Sequence, residues 1–185
     1  MSDIIDEQFN MVCKVPGDIN EHLPIIAQYA SECDTIVEMG VRFIVSTWAF
    51  LKGNPKKLTS IDIAQPPENN LNLVKQACMV KGIDFSFIHS STLDIEIDEC
   101  DLLFIDTLHT YEHLVQELKL HGNKATKYLM FHDTESCGEY SENNGKYWKP
   151  GLLTAIDEFI EENPHWTKKK FYTNNNGLGI LERVK

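Results

Sequence analysis

Five short apolar runs recur along the chain, and each closes on or beside a polar residue. They are Thr35–Met39, Lys57–Asp62, Asp84–His89, Asp101–Asp106 and Lys127–His132. Runs of this length, nearly continuous in apolar residues, fit strands covered on both faces. Longer stretches separate them: residues 46–52 before Gly53-Asn54-Pro55, 68–81 before Gly82, and 110–121 before Gly122. Glycine just past a helix is a common stop. Residues 22–32 form a further helix, with Pro24 suited to its first turn. Strands alternating with helices predict βαβ units and a mostly parallel sheet. A last helix over 151–162 stops at Asn163-Pro164. Two strand-like runs, 169–173 and 178–182, then flank Asn174-Asn175-Asn176-Gly177, a hairpin signal. The expected fold is α/β: a mostly parallel seven-stranded sheet with helices on both faces and a C-terminal antiparallel hairpin.

The length of 185 residues, 42% of them hydrophobic, suits one domain with a sizeable core. Residues 20–185 are taken as that domain and 1–19 as an N-terminal arm. No run of 18 apolar residues occurs, so no membrane partner is expected. The net charge of −11 argues against nucleic acid, which needs clustered cations. The one basic cluster, Lys168-Lys169-Lys170, reads as a solvated strand edge. The acidic start lacks the basic and apolar regions of a signal peptide. Cysteines 13, 33, 78, 100 and 137 are odd in number and without CxxC pairing, which points to free thiols in the cytoplasm.

In an open parallel sheet, ligands bind beyond the carboxyl ends of the strands. The first strand delivers Glu38 and Gly40 there, and the second delivers Asp62. The third leads to Ser90, Ser91 and Asp94, the fourth to Asp106 and His109, and the fifth to His132 and Asp133. Glycine lets the backbone turn tightly against a ligand, or simply turns the chain into a helix. A carboxylate at the next strand end can accept bonds from the ribose hydroxyls of an adenosine cofactor. Asp106 and Asp133 can hold a divalent cation such as Mg²⁺, and a nitrogen from His132 shifts the preference toward Mn²⁺ or Zn²⁺. Asp133 can instead cap the following turn. His109 and His113 stand four apart, a metal-ligand spacing if the segment is helical, while a solvated helix face is the plainer reading of His113. Residues 135–149 form the longest connection; Tyr140, Tyr147 and Trp148 either line a substrate pocket as a lid or anchor the loop.

These residues resemble those of class I S-adenosylmethionine-dependent methyltransferases. More closely, Val37-Glu38-Met39-Gly40-Val41-Arg42 with Ser46-Thr47, Phe104-Ile105-Asp106 with His109-Thr110-Tyr111-Glu112, His132-Asp133-Thr134, and Pro150-Gly151 with Ala155-Ile156-Asp157-Glu158-Phe159 are similar to a small-molecule O-methyltransferase group. That group includes macrocin-type and cephalosporin-hydroxylase-related proteins. The resemblance covers residues 20–184 and implies a Rossmann-like methyltransferase fold. It implies that Glu38 and Gly40 line the methionine and ribose side of the cofactor, that Asp62 holds the ribose, and that Ser90 and Ser91 stand near the adenine. Asp106 and Asp133 match metal-ligand positions, and His132 stands where metal-dependent members often carry a carboxylate. Ile44 replaces a second loop glycine, and a branched side chain there is expected to narrow the cofactor site.

The expected function is transfer of a methyl group from S-adenosylmethionine to a hydroxyl of a small molecule, a sugar being one candidate. His109 and Asp106 are the expected catalytic residues. Asp106, Asp133 and His132 are the expected ligands of Mg²⁺ or Mn²⁺. The alternatives are a methyltransferase-like domain that binds a nucleotide or partner without catalysis, motivated by Ile44, and a metal-dependent hydrolase built on His109, His113 and Asp106. A homo-oligomer stays open.

Overall fold

The computed structural model describes residues 3–184. Five parallel strands build most of one sheet: β1 (Thr35–Met39), β2 (Lys57–Asp62), β3 (Asp84–His89), β4 (Cys100–Ile105) and β5 (Ala125–His132). A small separate hairpin follows, β6 (Ser141–Asn143) and β7 (Lys146–Trp148), and then β8 (Trp166–Tyr172) and β9 (Leu178–Arg183). The main sheet runs β3-β2-β1-β4-β5-β9-β8, with β9 antiparallel to both β5 and β8. The chain moves outward from β1 to β3, then returns to place β4 against β1 on the other side. That reversal opens a crevice at the carboxyl ends of β1 and β4.

Side-chain parity divides the core into two layers, because successive strand residues point to opposite faces. Ile36, Leu58, Leu102, Phe104 and Met130 pack under α1 (Ile4–Lys14), α2 (Leu23–Ala30), α3 (Ser46–Lys52) and α4 (Glu68–Lys81). Val37, Ile61, Leu103, Leu129 and Phe131 pack under α5 (Tyr111–His121) and α6 (Leu152–Glu162). Fully burying a side chain of this size stabilises the fold by about 1.5–3 kcal/mol.

Several boundaries differ from the sequence expectation. β8 starts three residues earlier than expected, at Trp166, whose ring is buried. Thr167-Lys168-Lys169-Lys170 are exposed on this edge strand, so polarity disguises it. Lys168 pairs with Asp157 and Lys169 with Glu182, as a solvated edge would. β5 starts at Ala125, because a 3₁₀ turn over Gly122–Lys124 leads α5 straight into it. The Asn-rich connection is a five-residue loop over 173–177, one residue longer than the expected 174–177. Within the expected N-terminal arm, residues 4–14 form a helix; Asp3 caps it by accepting from the Ile5 amide at 3.1 Å, and Ile5 enters the core. Among the described residues, no helix is long and apolar enough to cross a membrane.

One charged group ties the first layer together. Glu38 of β1 is fully buried and accepts from Ser46 Oγ (2.6 Å), Thr47 Oγ1 (2.8 Å) and Ser60 Oγ (2.6 Å), joining β1, β2 and α3. Burial pushes its carboxyl up to about 7, against the pull of the three hydroxyls. An acid raised on folding binds its proton more tightly in the native state. Its stabilising contribution is therefore complete below the unfolded value near 4.5 and is lost as pH rises toward 7. Glu38→Gln should remove a decline of about 3 kcal/mol across that window. Urea denaturation of both proteins between these pH values checks it; parallel stability curves would contradict the assignment.

Candidate active site

The loop that leaves β1 is shaped by a glycine, an acid and a buried isoleucine. Gly40 has φ +88°, and a Cβ there would stand 1.8 Å from the Asp106 carbonyl oxygen, so no other residue fits without moving the end of β4. Asp62, at the end of β2, clamps the loop: Oδ2 accepts from the amides of Val41 (2.7 Å) and Arg42 (2.9 Å), and Oδ1 from Ala64 (2.7 Å). Ile44 takes φ +67°, a left-handed conformation that costs a branched residue about 1–2 kcal/mol. Its side chain turns into the first core layer, 1% exposed. The expectation that Ile44 narrows the cofactor site is therefore corrected: the strain is in the backbone, and the side chain is away from the cleft wall.

Beyond this loop lies a cleft of about 620 Å³. Its walls include Gly40 to Phe43, Asp62 and Ile63, Ser91 and Thr92, Asp106 to His109, His113 and Asp133, with Asp18 and Ile19 at the N-terminal side. Of the expected cofactor residues, Gly40, Asp62 and Ser91 line the cleft. Glu38 does not; it lies beneath α3. Ser90 lies outside the lining, its amide bonded to the Asp62 carbonyl at 3.0 Å.

One end of the cleft holds a cluster of two acids and two histidines. Ile105 pairs with Phe131 across β4 and β5, so Asp106 and His132 come level and Asp133 follows. His109 Nε2 stands 3.0 Å from Asp133 Oδ2 and 3.6 Å from Asp106 Oδ1. His132 Nδ1 stands 3.1 Å from Asp133 Oδ2 and 3.7 Å from Asp106 Oδ1. The Asp106 carboxylate, with that of Asp133, pushes the His109 imidazolium up to about 12. Burial alone would lower His132, but the same two acids outweigh it and push it up to about 10. Burial likewise works to raise both acids, yet the histidines hold them below the usual carboxylate range. The two carboxylates thus favour the charged form of His109, which sets it as a countercharge to the pair against its expected role as a metal-free base.

Two residues that sequence reasoning missed complete the cluster. Asn176, in the loop before β9, donates from Nδ2 to Asp133 Oδ1 at 3.0 Å, and its carbonyl accepts from the amides of Glu135 and Ser136. Cys137 sits beside His109 and Asp133. The left-handed Asn175 and Asn176 before Gly177 give a sequence hint of a tight loop, but nothing local links that loop to Asp133, 43 residues away. His113 is separated from His109 by the helix cap Thr110; its Nε2 pairs instead with the buried Glu117 at 3.2 Å. The two histidines therefore do not share a helical turn, and the hydrolase reading loses its ligand set. The aromatic residues of 135–149 lie outside the cleft lining. Trp148 anchors its hairpin by donating to Glu112 at 3.1 Å, and Lys149 stacks on Tyr140.

The strand order, terminal antiparallel strands and strand-end acids define a Rossmann-like methyltransferase fold. Solved structures share it. A Bacillus cereus O-methyltransferase in complex with SAH has a TM-score of 0.57 at 14% identity, covering all of this chain and 92% of that one. The SAH-bound Podospora anserina methyltransferase PaMTH1 has a TM-score of 0.61 at 13% identity, with coverage of 100% and 89%. The Burkholderia thailandensis 1,6-didemethyltoxoflavin-N1-methyltransferase has a TM-score of 0.57 at 14% identity, with coverage of 86% and 79%. No curated protein matches the sequence. The family model described as rhamnosyl O-methyltransferase/CmcI matches residues 9–182. The chain belongs to that family, and so to the class I S-adenosylmethionine-dependent O-methyltransferases.

The loop geometry makes a definite prediction for Ile44→Gly. Losing a buried isoleucine costs about 2–5 kcal/mol, and relief of the left-handed backbone returns about 1–2 kcal/mol. The variant should be less stable in urea, with S-adenosylhomocysteine affinity unchanged. Tighter binding in a calorimetric titration would show that Ile44 does obstruct the cofactor.

Proposed function

We propose that the chain transfers a methyl group from S-adenosylmethionine to a hydroxyl of a small-molecule acceptor, a sugar in the first instance. The observation that carries this reading is the open side of Asp106. Its carboxylate is a quarter exposed to the cleft, and its partners His109 and His132 stand off at 3.6 and 3.7 Å, beyond hydrogen-bond range. That leaves an oxygen able to receive an acceptor hydroxyl. The family's description supports a sugar.

In this reading the Gly40 turn, Asp62 and Ser91 seat the cofactor. An ionised carboxylate offers about four acceptor positions, and backbone amides use three at Asp62, so one remains for a ribose hydroxyl. S-adenosylmethionine supplies an electrophilic methyl group on its sulfonium. A hydroxyl oxygen that gains a methyl group becomes strongly acidic, so the Asp106 carboxylate suffices to take its proton when the two are aligned. His109, charged and held between the acids, fixes their orientation and offsets their mutual repulsion.

The donor set also fits a divalent cation. One oxygen each of Asp106 and Asp133 and a ring nitrogen of His132 lie within 4.8 Å of one another. Mg²⁺ or Mn²⁺ held there would polarise the acceptor hydroxyl. The burial of Ile44 removes the feature that favoured a non-catalytic binder. The five free cysteines support a cytoplasmic setting.

A turnover assay on a panel of sugars and phenols, with and without chelator and added Mn²⁺, tests this reading. Asp106→Asn should slow methyl transfer about 100-fold or more while leaving cofactor affinity little changed, a general acid–base loss. Asp62→Ala should do the reverse, weakening S-adenosylhomocysteine binding about 10- to 150-fold. Full activity in Asp106→Asn would sink the proposal.

A further inference from the structure

Cys137 is the cysteine grouped with the reacting residues, and the mechanism above does not use it. It lies in the turn after β5, where its amide donates to the Asp133 carbonyl at 2.9 Å. Asp133 itself takes a left-handed backbone (φ +57°), so the turn is not helical, and the fold of the turn brings the thiol beside the Asp133 carboxylate. His109 enters from the loop after β4, with Nε2 3.0 Å from Asp133 Oδ2. One donor atom from each of His109, Asp133 and Cys137 lies within 4.8 Å of the other two. Tetrahedral zinc with nitrogen, oxygen and sulfur ligands at about 2.0–2.3 Å needs these atoms about 3.3–3.7 Å apart. The set therefore closes on an ion with shifts of about 1 Å. Cys137 and Asp133 are each 5% exposed, while His109 and Asp133 reach the cleft, which gives an ion a way in and leaves a fourth position open.

We propose that His109, Asp133 and Cys137 form a binding site for a thiophilic divalent ion of the Zn²⁺ class, and that filling it blocks methyl transfer. The sulfur distinguishes it from the oxygen-rich set of Asp106, Asp133 and His132, since soft thiolate selects Zn²⁺ over Mg²⁺. The two sets share Asp133, so ions at the two sets draw on the same carboxylate. On binding, the Cys137 thiol and His109 Nε2 each lose a proton to bulk water as their bonds to the ion form, and no electron moves. The ion would then take up the His109 and Asp133 atoms that face each other beside Asp106. This inhibition rests on the proposed role of Asp106 and His109; the binding itself does not.

Cobalt absorption on the full chain separates the two claims. Wild type should bind one Co²⁺ with a thiolate-to-cobalt charge-transfer band, and Zn²⁺ should displace it. Cys137→Ser should lose the band and weaken Zn²⁺ at least about 10- to 100-fold, because losing a ligand costs no less than losing its supporting partner. His109→Gln, which leaves the buried thiol in place, should weaken Zn²⁺ comparably, and Asp106→Asn should keep the band. S-adenosylhomocysteine titration of each variant reports whether it is folded. No band in wild type, an unchanged band in Cys137→Ser, or a band lost in Asp106→Asn would each overturn the site. Binding as expected, with methyl transfer untouched by Zn²⁺, would overturn the inhibition and count against the roles assigned to Asp106 and His109.

Discussion

Asp106 and Asp133 directly follow the ends of two neighbouring strands, and the His109 ring stands between them. Adjacent strands lie about 4.8 Å apart, so the sheet itself brings the two carboxylates together. Two like charges at that range cannot both stay ionised without a cation between them. His109 supplies that charge from the loop after β4, and His132 Nδ1 packs against Asp133 Oδ2 from the end of β5. Asn176 and Ser136 take up the remaining oxygen of Asp133, Ser136 donating from its Oγ at 2.8 Å. The cluster is thus held on three sides, while Asp106 keeps one side toward the cleft.

The cofactor end is organised by a different constraint, the close approach of β1 and β4. Only glycine fits at position 40, because the Asp106 carbonyl occupies the space of any side chain. The same contact fixes the distance between the loop after β1 and Asp106. Asp62 then locks the loop by accepting two consecutive amides, and Ile44 anchors its far end in the core. In the proposed reading, the position of the methyl donor relative to Asp106 therefore depends on backbone contacts rather than on flexible side chains, which suits a reaction that needs alignment.

Much of this is legible in the sequence. In a parallel sheet every strand's last residue falls at one edge, so Gly40, Asp62, Asp106, His109 and Asp133 can be assigned to a common cleft from strand pattern alone. Glu38 defeats that logic. It is one residue short of the strand end, and the two-residue period sends it under α3 to meet Ser46, Thr47 and Ser60. Asn176 and Cys137 escape for another reason: their roles depend on loops that meet only in the folded chain. The helix at residues 4–14 is written in Asp3, Ile4, Ile5, Phe9 and Val12, a pattern of cap and apolar face too short to stand out. The expected obstruction by Ile44 fails because residue type does not reveal which way a left-handed turn aims its side chain.

The central claim is that His109 is the countercharge of the two strand-end acids. Long-range ¹⁵N–¹H spectra of the histidine rings, with His109 assigned by its loss in His109→Gln, test it directly in the protein free of added metal. Its pKa is held up to about 12 by Asp106 and Asp133, so its ring should show two protonated nitrogens from about pH 6 to pH 9. A neutral ring at pH 7 would contradict the account and return His109 to the role of base.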